Sequence, residues 1–531
     1  MIIFLRYLKK SKYRRFINQV FQSNFNFYLM KNIVLVLFLS FSISNYGQYT
    51  KIPDVNFEKK LISLGIDSGN PDSRVLTTAV TAVTSLSVDN SSIADLTGIE
   101  AFTALKELYC YYNSLESLDL SKNTNLTILQ CYNNSLNNLN VTKNVSLNYL
   151  DCSGNNLTSL DVSANNELKT LQCVLNQITN ITLPQNGILE ELLCHRNLLN
   201  TLDLLKSAKL LNLSCYTNNL SSLDVSTATL LKRLDCSKNQ LTAINISNNT
   251  QLDYVVLGNN TLKSIDVSGC KMLTYLSCPT NELVSLDVSQ NLMLKNLSFS
   301  SNLLTSINIS KNDKLETLQC NLNKLSVLDI QNNKALINLI ISSNQITALD
   351  VSKQLNLNRL ECGDNLLTSL DLSQNKILEF LKCENNKLTT LNLKNTNNAK
   401  ISYSFSNYPN FKNNPDLSCI LVDNQSYSDA NWNTKKDQTS NYSENCSLGT
   451  DNSVFQETIL YPNPTRGWLT IKNGILDKVI VYNVLGQLQK TFVFLNNTED
   501  HTIDLSELTK GAYIVVLEKD NKAARRKIII H

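Results

Sequence analysis

Leu105-Lys106-Glu107-Leu108-Tyr109-Cys110-Tyr111-Tyr112-Asn113-Ser114-Leu115 is the stretch whose pattern sets the fold, because it returns every 21 residues. Leu126, Cys131 and Asn134 mark the next unit, Leu147, Cys152 and Asn155 the one after, and Leu378, Cys383 and Asn386 the last of fourteen coils. A period of this length marks a solenoid, in which each unit buries its apolar face only against its neighbours. Leu108 and Cys110 alternate with Tyr109, so the first two point inward and Tyr109 outward, as a strand requires. Each coil therefore adds one parallel strand.

The Asn recurs without exception: Asn113, Asn134, Asn155, Asn176, Asn197, Asn218 and Asn239, then on to Asn386. Its amide carries two donors and an acceptor, and turned inward it satisfies backbone groups freed at the bend, forming a ladder from coil to coil. Eleven Cys, from Cys110 to Cys383, fill another column in which Leu257, Phe299 and Ile341 also stand, which marks a core position. Thiols one coil apart in a row do not converge tetrahedrally, so no zinc site is expected. A second half-coil, Leu118-Asp119-Leu120-Ser121 and its equivalents, also alternates. Twenty-one residues leave no room for a helix of normal length there, so a second parallel ladder is expected.

These residues resemble the leucine-rich repeat family, pattern LxxLxLxxNxL, over residues 83–395, with Cys often in place of the third Leu. The resemblance implies a mainly β solenoid of about fourteen coils with ladders on two faces. Solenoid ends need covers. Ile52–Gly65 carries partly helix-spaced apolar residues and resembles the helical cap that precedes secreted bacterial repeats of this kind, so residues 48–104 read as a cap and a first atypical coil. The repeats proper occupy 105–395, and 396–452 form a C-terminal cap in which Cys419 and Cys446 are the disulfide candidates of an oxidising compartment.

From about Gln456 the periodicity changes to short strands separated by turns, as in a small β-sandwich. Tyr461-Pro462-Asn463-Pro464, Gly486-Gln487 and Lys510-Gly511-Ala512-Tyr513 together resemble the C-terminal sorting domain of type IX secretion, here residues 456–531. That resemblance implies a Gram-negative cell, the type IX machinery as a partner, and a protein secreted or held on the outer-membrane surface. The N-terminus agrees. Residues 1–47 hold seven Lys or Arg and no acid, and Met30-Lys31-Asn32 precedes the apolar run Ile33–Phe41, so Met30 reads as the true start of an export signal. That run is too short to span a bilayer, and no membrane span is expected in the mature protein.

Lys and Arg total 48 against 45 Asp and Glu, a net charge of +3 that gives no reason to expect nucleic acid. Three His, two Trp and fourteen Gly offer little for general-base, metal or phosphate-loop chemistry, and no catalytic fingerprint occurs. No catalytic residue, metal site or cofactor is assigned. The recurring acid or amide column beginning at Asp119 reads as a structural ladder, with weak Ca²⁺ binding as the alternative.

Outward positions flanking the first strand should carry recognition. Tyr109, Tyr111, Tyr132, His195 and Tyr216 are the candidates, the last four sharing one column; tyrosine's rigid face and polar tip suit protein or sugar contacts. The expected function is adhesion-type binding of a protein or polysaccharide, without catalysis. The alternatives are a structural surface rod or an accessory substrate-binding protein of a secreted degradative system.

Overall fold

The computed structural model describes residues 48–401, 409–446, 455, 457–494, 498–519 and 522–531. The export-signal reading of residues 1–47 lies outside the described residues. The chain divides into two compact units, the first ending at Ile346 and the second beginning at Thr347.

The first unit opens with the strand Tyr49–Lys51, antiparallel to Arg74–Leu76, and the helix Val55–Ser63. Asp54 starts this helix in the usual way, one carboxylate oxygen accepting from Asn56 and Phe57 backbone N–H at 2.8 and 3.0 Å. Its other oxygen accepts from Ala94 and Asp95 N–H at 2.8 and 3.0 Å, tying the cap to the first coil. Buried Glu58 holds the return loop through Asp72 and Ser73 N–H at 2.6 and 3.0 Å. Gly98 sits at φ +107° where an added Cβ would meet Lys51 O at 2.6 Å, so the loop packs on the cap only with glycine there.

Thirteen three-residue strands of one parallel sheet follow in this unit, from Ser85–Ser87 to Asn338–Ile340. Leu108 pairs with Leu129 and Leu129 with Leu150, so every column of the sequence becomes a column in space. The inward Leu108, Cys110, Leu115 and Leu120 and their equivalents are at most 5% exposed. Burial of each such leucine contributes about 2 kcal/mol, which a lone coil could not realise.

The chain is a mainly β, parallel-ladder solenoid of about seventeen turns. That exceeds the fourteen Leu-to-Asn coils because three further turns follow the path without the Leu and Cys signature: that at Ser85–Ser87, that where Asn410 bridges Lys382 and Cys419–Leu421 pairs with Thr390–Asn392, and that whose Asn441–Ser443 pairs with Cys419–Leu421. The second ladder is present but discontinuous. Among the described residues of the first unit it joins only Ser159–Asp161 and Asn180–Thr182. Elsewhere, two side chains take the groups a longer ladder would use. Thr142 N–H donates to its own coil's Asn140 at 3.1 Å, while Leu120 O accepts from the buried Asn144 amide at 3.1 Å.

In the second unit the repeat continues through Arg359–Glu361 and Phe380–Lys382, and the second ladder is regular over Ser369–Asp371, Thr390–Asn392, Cys419–Leu421 and Asn441–Ser443. Cys419 and Cys446 form a disulfide. Beside it the helix Gln425–Trp432 buries Trp432 between Phe411 and Tyr442, whose hydroxyl donates to Trp432 O at 2.9 Å. The C-terminal segment is a β-sandwich: Ile459–Tyr461, Trp468–Lys472 and His501–Asp504 make one antiparallel sheet. Leu488–Val493, Lys478–Asn483, Gly511–Lys519 and Lys522–Ile530 make the other. Leu469, Ile471, Val479, Val481, Val515, Leu517 and Ile528 fill the space between them.

Candidate binding surface

Each coil turns sharply after its first strand, and that turn is built by two neighbouring positions. The residue before the ladder Asn has positive φ in coil after coil: Tyr112 at 52°, Leu175 at 57°, Thr217 at 54°, Lys238 at 51°. Left-handed backbone costs about 1 kcal/mol for a residue with a Cβ, and the Asn offsets it. Asn155 is typical: its amide donates to Cys131 O and Cys152 O at 3.1 and 3.0 Å and its oxygen accepts from Leu136 N–H at 2.9 Å. Asn113, Asn134, Asn176, Asn197, Asn218 and Asn239 make equivalent bonds. A second amide column inside the other half-coil, Asn123, Asn144, Asn165, Asn249 and Asn291, was not read from the sequence; each donates twice to carbonyls of the preceding coil. Cys270, the thiol outside the main Cys column, stands in this column with its Sγ 3.8 Å from Ile246 O and Asn249 O.

With the core so fixed, the outward side chains are held in rows. Tyr111 and Tyr132 stack face to face, centroids 4.5 Å apart and planes 5° off parallel, and Tyr112 stands edge-on to both. Tyr109 sits beside Glu107, its hydroxyl 3.4 Å from the carboxylate. His195 and Tyr216 form a second stack at 4.1 Å, with Ser214 Oγ 3.0 Å from His195 Nδ1. Burial pushes the imidazole below its usual range, with Asp235 opposing. Thus the four candidates of one column are not one continuous row but two pairs, separated by Ser153 and Val174. The sequence reading missed a third stack, Tyr254 on Tyr275 at 4.5 Å, capped by the Arg233 guanidinium 4.1 Å from the Tyr254 centroid. It also passed over Asp151, 8% exposed on the strand face, whose carboxyl burial pushes up.

The acidic column of the other half-coil has a local task. Asp119, Asp161, Asp224, Asp266, Asp287 and Asp350 each accept from the N–H two residues on, at 2.8 to 2.9 Å. The Ser121 N–H and hydroxyl lower the Asp119 carboxyl, and the Ser226 hydroxyl and N–H lower that of Asp224. Among the described residues no three His, Cys, Asp or Glu side chains gather as a metal centre, and no helix is long and apolar enough to cross a membrane.

In the sandwich, Asn463 ties the loop after Ile459–Tyr461 to the strand Lys522–Ile530: its oxygen accepts from Ile529 N–H and its amide donates to Lys527 O, both at 2.9 Å. It lies between Pro462 and Pro464, each preceded by a cis bond. Gly486, φ +77°, closes the hairpin from Asn483 to Gln487. Gly511 begins the strand that carries Tyr513, whose buried hydroxyl donates to Thr509 O at 2.8 Å.

Residues 459–531 match the family described as secretion system C-terminal sorting domain. The functional domain of InlJ from Listeria monocytogenes, which includes a cysteine ladder, superposes with a TM-score of 0.64 at 28% identity, covering 91% of this chain and 99% of that one. The chain is a leucine-rich repeat protein with a type IX sorting domain. Internalin J of the same species is 60% identical over 42 residues, a match spanning 8% of this chain and 5% of that protein. The ectodomain of the receptor kinase GASSHO1/SCHENGEN3 from Arabidopsis thaliana shares the fold, with a TM-score of 0.55 at 21% identity over 69% of this chain and 51% of that one.

Proposed function

We propose that this is an exported, adhesion-type binding protein displayed on or released from the outer surface of a Gram-negative bacterium, holding a protein or polysaccharide on the strand face of its first unit. It works without catalysis and without a cofactor, the Asp column serving the turns rather than Ca²⁺. The observation that carries the reading is the gathering of Tyr109, Tyr111, Tyr112, Tyr132 and Tyr149 on adjacent coils, in outward columns a rigid core holds in place. Large, stiff side chains with polar tips give contact area at little entropy cost. The sorting domain supports export, and the likeness to the functional domain of InlJ supports a secreted repeat protein of binding type.

The test is a binding screen of the full chain against surface-protein extracts and glycan arrays, beside a variant carrying Tyr111→Ala, Tyr132→Ala and Tyr216→Ala. Saturable binding lost in the variant is the expected result. Binding the variant retains would move the site elsewhere. No saturable binding to any target would replace recognition with a structural surface role.

A further inference from the structure

Building on that reading, we infer that the strand face between Asp89 and Leu175 takes a cationic segment of a partner protein, one presenting arginine or lysine. The rings there pack against one another. Tyr111 and Tyr132 cover one face of each other, and Tyr112 abuts both at 77° and 78°. A sugar ring stacks on a broad open aromatic face; here one face of Tyr111 and one of Tyr132 are already covered and Tyr112 stands edge-on to both.

Its charge is of one sign. The outward strand and turn positions from Ser85 to Leu175 include Asp89, Glu107 and Asp151 and no Lys or Arg. Asp89 lies one coil before Tyr111 in its column, where Asn90 N–H donates to Tyr111 O at 2.9 Å, and Asp151 lies one coil after Gln130. Lys106 and Lys169 precede their strands at the edge, and Lys169 lies 4.0 Å from Glu190. The carboxylates reach the rings: beyond burial, Tyr111, Tyr112, Asp151 and Asp89 raise the Tyr132 phenol, and Asp151 and Glu191 raise that of Tyr149.

The same unit shows what such a stack accepts. Tyr254 and Tyr275, also 4.5 Å apart, carry the guanidinium of Arg233, which precedes Tyr254 by one coil in its column. At Tyr111 the preceding column position holds Asp89 instead, and among the described residues no Lys or Arg lies over Tyr111 or Tyr132. A cation arriving from a partner would meet both a ring and a carboxylate.

Fluorescence anisotropy with the full chain tests this, using a labelled peptide of alternating Gly and Arg, a matched Gly and Glu peptide, and a neutral soluble β-glucan. Two paired variants probe the patch, Tyr111→Ala with Tyr132→Ala, and Asp89→Asn with Asp151→Asn; Tyr254→Ala with Tyr275→Ala is the control. Circular dichroism checks that each folds. The expected result is saturable binding of the Arg peptide alone, weakened by added salt, about tenfold weaker in both patch variants and changed less than about twofold in the control. The Asn pair keeps every ring, so its loss reads charge rather than packing. Equal binding by the Glu peptide, undiminished affinity in both patch variants, or no saturable binding of the Arg peptide would each overturn the inference. Glucan binding that depends on Tyr111 and Tyr132, without Arg-peptide binding, would overturn it while leaving the broader recognition reading in place.

Discussion

Asn155 shows how much one side chain holds. Three backbone groups on neighbouring coils, Leu136 N–H, Cys131 O and Cys152 O, meet its amide inside the core. Each buried group left unpaired costs about 1–3 kcal/mol, so Asn155→Leu is expected to lower stability by roughly 3 kcal/mol or more in urea unfolding; a loss under about 1 kcal/mol would show the ladder to be dispensable. Asp151 acts in the opposite sense. Burial holds its carboxyl above the usual range, so the folded chain binds this proton more readily than the unfolded one, and ionisation at neutral pH costs stability. Asp151→Asn is expected to raise the thermal midpoint at pH 7 and to lose that advantage as the pH falls below the ordinary Asp value of about 3.9, where both states of the parent become protonated. An identical gain at pH 7 and below that value would contradict this. The Asn113 column was legible because it never varies. The Asn123 column was not, because Ser207, Ala228, Cys270 and Gln354 interrupt it and only the packed fold shows which carbonyls it meets.

Elements here are too short to stand alone; a three-residue strand exists because a neighbour lies 21 residues away. Strand positions were legible for that reason, the alternation of Leu108, Tyr109 and Cys110 fixing which side faces in. The gaps in the second ladder were not, since Asx turns such as Asp119 with Ser121 compete with strand pairing and nothing in their spacing separates them from the Ser159–Asp161 pair. The Cys column carries its own prediction. All twelve unpaired thiols are buried, and burial alone pushes Cys110 and Cys194 up to about 12. Since the thiolate is the reactive form, native protein at pH 8 is expected to resist iodoacetamide at all twelve by mass spectrometry and to be fully alkylated after denaturation. Rapid native labelling of any member would mean that coil opens.

At the scale of the whole molecule, the proposed function divides the work between the sorting domain, for export, and the solenoid, for recognition. The repeat made the solenoid readable and the Pro462-Asn463-Pro464 and Gly511-Ala512-Tyr513 elements made the sorting domain readable, because both depend on local sequence. The proposed recognition face was only half readable. Tyr111 and Tyr132 share a column in the sequence and a stack in space, but the Tyr254 and Tyr275 stack lies in a different column, where it depends on Arg233 one coil earlier. The central claim is that partners bind on the strand face of the first unit. Hydroxyl-radical footprinting of the full chain, free and bound to whatever partner the screen recovers, tests it most directly. The account predicts protection of Tyr109, Tyr111, Tyr112 and Tyr132, with Leu205, Met272 and Val284, exposed elsewhere on the coils, unchanged. Protection of Leu205, Met272 or Val284 with the four tyrosines unaltered would contradict it.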